Sequence, residues 1–369
     1  MKGYRLMIPG PVDVDPEVLQ PMSEPVEPHY GPEWTEYYNA TLDLLKKIFR
    51  TKGDVFIIPG TGSAAVESCV STAVGGGGSL LIPNNGFFGD RLEAIARSHT
   101  DRVEVLRQPV GEPIDLDEVE RSLSTGRFEM LAVTHCETSI GILNPIREIG
   151  ALCRRYGVRF MVDAVSSMGV DRLEMDDWGI DLCATASQKG LETPPGLGVT
   201  AVGPNAWDFL DRRNSPGWYL NLKLWRRYAE DWGDWHPFPI TMAVNNVKSL
   251  RAGIERILKE GLEAREERHR RVCLHLRRSL EHIGFELCIP DAHASSGVTA
   301  VKSHPAASAT DLLQWVKNND RILLAGSLGA LKGKIFRIGH MGPSANLEAV
   351  DLVVSALHRA LEACRQAEA

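Results

Sequence analysis

The sequence has few cysteines, and none is placed to build a framework. Seven occur in 369 residues, Cys69, Cys136, Cys153, Cys183, Cys273, Cys288 and Cys364. They are odd in number, scattered and without a Cys-x-x-Cys pair, so neither a disulfide scaffold nor a zinc site or other metal centre is expected. Long apolar runs are also missing. None reaches the roughly 18 residues of a membrane span, and the run within Met1 to Gly10 is too short for a signal peptide. The expected compartment is a reducing cytoplasm, with no membrane partner. Charge of neither sign dominates: Lys+Arg 41 against Asp+Glu 48 gives a formal net charge of −7, which gathers no polyanion, so nucleic acid is not an expected partner. The densest basic stretch, Arg265 to Arg278, interleaves Glu266, Glu267 and apolar residues at helical spacing, the pattern of a solvated helix face. Repeats and low-complexity tracts are absent too, and at roughly 100 to 200 residues per domain the length predicts two domains.

What is present is an alternation. Short apolar or β-branched runs at 55–58, 79–82, 103–106, 130–134, 158–162, 182–185 and 198–202 alternate with helical patterns. This predicts an α/β fold with a mostly parallel, seven-stranded sheet and helices on both faces. From about Val247 to Ile283 a long helical pattern, broken near Gly261, reads as a spine between domains. Beyond it, strands near 285–288, 297–301, 322–325 and 334–338 and helices near 310–316 and 346–363 predict a smaller C-terminal α+β domain. The expected division is a segment 1–20 packed onto one of two domains, a large domain 21–264 and a small domain 265–369. A Trp-rich stretch, with tryptophans at 218, 225, 232 and 235 off any clean helical period, reads as packing between subunits or around an entrance.

Three short motifs carry chemistry. Pro59-Gly60-Thr61-Gly62-Ser63 follows a predicted strand and opens a helix, so its amides and the helix dipole suit a phosphate at Thr61, Gly62 and Ser63; a capped tight turn fits the same residues. Asp163 ends a strongly apolar strand, the edge where open α/β sheets bind ligands. A carboxylate there holds a protonated ring nitrogen or a metal, or serves as an N-cap. Lys189 is confined between a strand end and Pro194-Pro195-Gly196. A desolvated amine of that kind condenses with carbonyl compounds, whereas most loop lysines are simply solvated. Together, a phosphate turn, an acid and an amine are what pyridoxal 5'-phosphate requires.

In that order, with 26 residues from Asp163 to Lys189, the chain resembles the fold-type I pyridoxal-phosphate enzymes. Specifically, it is similar nearly end to end to the class V aminotransferases of the alanine–glyoxylate and serine–pyruvate group. The resemblance rests on Ile8-Pro9-Gly10-Pro11, Asn85-Gly86-Phe87-Phe88-Gly89, His135-Cys136-Glu137-Thr138-Ser139-Ile140-Gly141, Asp163-Ala164-Val165-Ser166-Ser167, Ser187-Gln188-Lys189, Phe238-Pro239-Ile240-Thr241 and Phe336-Arg337-Ile338-Gly339. It implies that Lys189 is the Schiff-base lysine and that Asp163 pairs with the pyridine nitrogen. Phe88 would stack on the ring, Thr138 approach its phenolic oxygen, Val165 contact the cofactor and Gln188 help hold the phosphate. Thr241 would reach the phosphate of a neighbouring subunit, which implies a homodimer with two-chain sites. Phe238 replaces the family tyrosine there and removes one phosphate hydrogen bond. Arg337 would take the substrate carboxylate, with Gly10, His29 and His340 beside the substrate; a structural role fits either histidine equally.

The activity so implied is a ping-pong transfer of an amino group from alanine or serine to glyoxylate or pyruvate. Ureidoglycine, aspartate or pyridoxamine are alternative donors, since similar frameworks act on them. A pyridoxal-phosphate lyase or desulfurase is a further alternative, but Cys288 and Cys364 lack the mobile-loop setting a desulfurase needs. A cofactor-binding regulator would carry an added domain that the sequence does not show.

Overall fold

A computed structural model describes residues 3–368. Seven strands form the large sheet: β1 (Asp54–Pro59), β2 (Leu80–Asn84), β3 (Val103–Arg107), β4 (Met130–Thr134), β5 (Arg159–Asp163), β6 (Leu182–Ala186) and β7 (Leu197–Val202). Their spatial order is β1-β7-β6-β5-β4-β2-β3. Only β7 runs antiparallel to its neighbours. Every residue of β2, β4 and β6 is buried, as strands covered by helices on both faces must be. The edge strand β3 instead carries Glu104 and Arg107 and stays partly exposed, which discourages pairing with another chain.

From β2 the chain goes out to the edge at β3 and returns on the other side of β2 at β4. Strand order therefore reverses at β2 and β4, and an open sheet has its ligand crevice outside the carboxyl ends at such a point. Asn84, Thr134, Asp163 and Ala186 are the last residues of β2, β4, β5 and β6. They define that edge.

Helices Val244–Glu260 and Leu262–His282 meet at Gly261 and form the spine. A core running from Trp34 to Ile257 fills the large sheet's two faces. A second core takes Val272, Leu276 and Leu280 from the spine, together with Phe336, Ile338, Val353 and Leu357. It lies against an antiparallel sheet of β8 (Val298–Lys302), β9 (Ala325–Gly326) and β10 (Ile335–Gly339), in the order β8-β10-β9.

The structure departs from the sequence-based expectation in four places. Residues 285–288 give only a single bridge from Leu287 to Val301, because the chain bends at Cys288 and Ile289 before a ladder can form. The N-terminal segment packs onto both bodies. Arg5–Leu6 pairs with Ile322–Leu323, Gly339 donates its N–H to the Met7 carbonyl at 2.9 Å, and Val12 donates to the Gln188 carbonyl at 3.1 Å. Trp225 is a core residue, fully buried with its indole N–H on the Tyr219 carbonyl at 2.7 Å; Trp218, Trp232 and Trp235 stay about half exposed.

The basic stretch is the fourth. Arg265 and Arg277 are each only 2% exposed, so they do not belong to a solvated face. Arg265 donates to the carbonyls of Gly169 at 2.6 Å and Gly190 at 2.9 Å, and pairs with Glu192 and with Glu260 at 3.1 Å. The spine is thereby tied to the loop that follows Lys189. Replacing one member of a buried pair leaves the other charge stranded. Arg265→Met is therefore expected to cost roughly 3–5 kcal/mol, seen as a lower midpoint of thermal unfolding. Arg278→Met, on the exposed face, should stay within about 0.5 kcal/mol of the parent.

Candidate active site

A cleft with ≈ 390 Å³ of empty space, its open mouth included, lies at the carboxyl ends of β4 and β5. On one side is the turn at the start of the helix Gly62–Val74. Thr61 is its N-cap residue, but its side chain makes no capping bond, so the first amides of the helix are left to a ligand. Gly62 lets the turn approach the strand ends. A Cβ there would lie 2.8 Å from Val165 Cγ2 and 3.1 Å from Ala186 Cβ. Gly62, Ser63 and Val165 all line the cleft.

Asp163 forms the floor. It is buried, and Oδ1 accepts the Val165 N–H at 2.9 Å. Burial pushes its carboxyl up to about 6, against the pull of that amide and of the Lys189 and Arg91 charges. A buried carboxylate in that state favours a nearby cation, as a protonated ring nitrogen would be. Thr134, whose hydroxyl is buried without a partner, also lines the cleft. Gln188 Oε1 is likewise buried and unpartnered. The orphaned Thr134 hydroxyl can donate to a polar aromatic ligand in the cleft, whereas Gln188 Oε1, an acceptor, calls for a donor.

Lys189 reaches the cleft through Ser166. Its Nζ donates to the Pro9 carbonyl and to Ser166 Oγ at 3.3 Å, and Ser166 Oγ is 2.5 Å from Thr138 Oγ1. Burial, helped by the Arg337 and Arg91 charges and opposed by Asp163, lowers the amine to about 8. Near neutrality an accessible fraction is thus a free nucleophile. Gly10 packs against the aliphatic stem: a Cβ on it would lie 2.4 Å from Lys189 Cδ, and its φ of +119° is one that side-chain-bearing residues rarely adopt.

Arg337 lies on β10 and is buried. Nε and Nη2 donate to the Gly326 carbonyl at 3.1 and 2.7 Å, and Nη1 donates to the Thr138 carbonyl at 3.0 Å. Three of its five N–H groups are thus used; one on each terminal nitrogen remains, a pair suited to a bidentate carboxylate. Phe88 also lines the cleft, with the Arg91 guanidinium 4.8 Å from its ring centre.

Three sequence-based candidates are not brought to this cleft within the protomer. His29 packs its ring among Tyr30, His236 and Phe238. His340 is fully buried, bonded through Nε2 to Thr299 Oγ1 at 2.9 Å, and burial lowers it to about 4. That places it inside the small body as a neutral structural group. Thr241 is exposed, while Phe238 is buried against Tyr38 and His236. Sequence reading gave no role to Ser166, Arg91, Glu137 or the Pro9 carbonyl. Arg91 sits three residues after Phe88 on one helix, a spacing that puts both on one face; a backbone carbonyl has no signature of its own.

The fold and this arrangement define an aminotransferase scaffold, and comparison with known proteins agrees. The family described as Aminotransferase class-V matches residues 26–336. An uncharacterized aminotransferase of Methanocaldococcus jannaschii is 35% identical over 339 residues, covering 91% of this chain and 87% of that protein. The (S)-ureidoglycine–glyoxylate transaminase of Bacillus subtilis is 31% identical, over 96% of this chain and 90% of its own. Among solved structures, alanine–glyoxylate aminotransferase from Nostoc sp. superposes with a TM-score of 0.93 at 32% identity, over 98% of this chain and 96% of that one. The chain belongs to the class V aminotransferase family and is an aminotransferase of the fold-type I architecture.

Gly10 offers a direct test of the packing around the amine. Overpacking of this kind costs about 1–3 kcal/mol, so Gly10→Ala is expected to lose about that much stability, read as a lower midpoint of thermal unfolding.

Proposed function

We propose that this chain is a pyridoxal 5'-phosphate-dependent aminotransferase that moves the amino group of a small amino acid, alanine or serine, to glyoxylate or pyruvate by a ping-pong sequence. The observation that carries the reading is a buried amine lowered to about 8, held between Pro9 and Ser166 at the edge where Asp163 and the Gly62 turn face one cleft. Pyridoxal phosphate, when bound, supplies an aldehyde for an amine and a ring that accepts electrons. Thr61, Gly62 and Ser63, with Gln188, would hold its phosphate, and Phe88 and Val165 its ring.

The remaining work belongs to this chain's own side chains. Asp163, buried with the Val165 amide on Oδ1, would keep a proton on the ring nitrogen. Arg337 turns its two free N–H groups to the substrate carboxylate and so fixes which bond at the α-carbon faces Lys189. The Lys189 amine, once free, takes the α-proton at Nζ and returns it on the other side of the transfer. Thr138, through its hydroxyl on Ser166 and its carbonyl on Arg337, keeps the amine and the guanidinium in register. The exposed Thr241 and the half-exposed Trp218, Trp232 and Trp235 support a homodimer in which Thr241 serves the neighbouring subunit's phosphate.

The donor is the finer part of the proposal. The Bacillus subtilis relative is named for ureidoglycine, so the test presents L-alanine, L-serine and ureidoglycine separately to the cofactor-loaded protein. Each is followed by glyoxylate or pyruvate. Loss of the visible absorption band with alanine or serine, and its return with the keto acid, supports the assignment. A band indifferent to alanine and serine but discharged by ureidoglycine overturns the donor while keeping the reaction.

Two further outcomes are expected. Capture of pyridoxal phosphate needs the neutral amine, so its rate should rise about tenfold per pH unit below about 8 and level off above it; stopped-flow absorbance of apoprotein across pH 6 to 10 reads this. Arg337→Met removes a charge-assisted carboxylate contact, for which about 2–5 kcal/mol is typical. KM for the amino acid should therefore rise at least roughly 30-fold, with the visible band unchanged.

A further inference from the structure

Glu137 has no part in the transfer just described, yet it is completely buried, between the cleft-lining residues Cys136 and Thr138 in the chain. It lies on the two-residue strand Cys136–Glu137 that follows β4. Among the described residues no cation lies within ion-pair distance of it. Instead, four hydrogen bonds from neutral donors hold its carboxylate. Oε2 accepts the backbone N–H of Phe88 at 2.9 Å and of Gly89 at 3.0 Å. Oε1 accepts the N–H of Ser139 at 3.0 Å and its hydroxyl at 2.5 Å.

The two oxygens look toward different ligands. Oε2 caps the helix Phe87–Arg97, whose N-cap residue is Gly86 and which therefore has no capping side chain of its own. A Cβ on Gly86 would lie 2.5 Å from Glu137 Cγ and Cδ, so the glycine makes room for a carboxylate from another part of the chain. Helix dipole and amides together favour an anion there. The capped residue Phe88 lines the same cleft as Asp163. Oε1 holds Ser139, and Thr138 between them presents its carbonyl to Arg337 Nη1 at 3.0 Å. Ser327, next to the other Arg337 acceptor Gly326, donates to the Ser139 carbonyl at 3.5 Å. Phe87 N–H reaches Ser139 Oγ at 3.4 Å and links the two arms. Both cleft charges register the carboxylate, which raises Asp163 and Arg337 alike, although burial outweighs it at Arg337.

We propose that Glu137 is a positioning residue that joins the cofactor-covering ring of Phe88 and the carboxylate-binding Arg337 into one unit, an inference that rests on the aminotransferase reading of the same cleft. Holding one side of the unit holds the other. A bound cofactor under Phe88 then meets an Arg337 fork already aimed, and a substrate carboxylate on Arg337 tightens the ring loop in return.

The test uses the full-length protein and two readouts: the dissociation constant of pyridoxal 5'-phosphate, from quenching of tryptophan fluorescence in the apoprotein, and KM for the amino acid. Glu137→Ala is expected to raise both about tenfold or more. Phe88→Leu should raise the dissociation constant alone. In the double variant the two effects on that constant should fall short of their product, because Glu137 acts through Phe88. A full product of effects, or either parameter of Glu137→Ala staying within about twofold of the parent, overturns the proposal. Should Glu137→Ala not fold, Ser139→Ala decides. It leaves the Phe88 and Gly89 bonds in place but takes the hydroxyl from both arms, so it should raise both parameters by roughly two- to threefold; no change in either overturns the proposal. Parent protein that neither binds pyridoxal phosphate nor transaminates is a different result, which removes the aminotransferase reading itself.

Discussion

The contact between the Lys189 amine and the Pro9 carbonyl brings together residues 180 positions apart in sequence, and most of the architecture is needed for it to exist. Lys189 is delivered by the end of β6 and held by the turn that follows, which Arg265 ties to the spine through Gly190 and Glu192. Pro9 is delivered by a segment that first pairs with the small body at Ile322–Leu323, passes Gly339 and reaches Gln188. Between them Gly10 provides the absence of a side chain. Remove any of these and the amine regains solvent, with its ordinary basicity. Reactivity here is a by-product of close packing.

The same desolvation acts on four ionisable groups in and beside the cleft, with opposite signs. Asp163 and Glu137 are pushed up, Lys189 and Arg337 pulled down. In a structure seeking only stability these charges would close into pairs. Here each is satisfied by neutral groups instead: an amide on Asp163, amides and a hydroxyl on Glu137, carbonyls on Arg337, a carbonyl and a hydroxyl on Lys189. The charges are thus kept near one another without neutralising, which leaves their unused valences for a ligand bearing both signs. An amino acid and a phosphorylated pyridine are ligands of that kind.

Much of the fold was legible in the sequence because the buried strands are continuous apolar runs with no competing period. The seven strands of the large sheet lie within a residue or two of where those runs place them. Asp163, Lys189 and the Gly62 turn were legible for a related reason: each lies at or just past the end of such a run, where a charge or a glycine turn has little packing purpose. Residues 285–288 misled because an apolar quartet does not reveal a bend. Arg265 and Arg277 misled because helical periodicity shows which face a residue occupies but not whether carbonyls and carboxylates wait there to receive it. His340 was placed near the substrate by its neighbour Arg337, and alternation along β10 and past its end turns it inward. Glu137 stood inside a quoted motif without a role, since a buried carboxylate capping a remote helix is specified by tertiary contact alone.

The N-terminal segment is also a measured length. Leu6 is fixed by its pairing with Leu323 and Val12 by the Gln188 carbonyl, so the chain between them has no slack to give or take. One extra or missing residue would shift everything beyond it by about 3.3–3.6 Å, more than a hydrogen bond can follow. The segment therefore works as a gauge rod between two bodies: their separation is read at one end, and the carbonyl that holds the amine is set by it at the other.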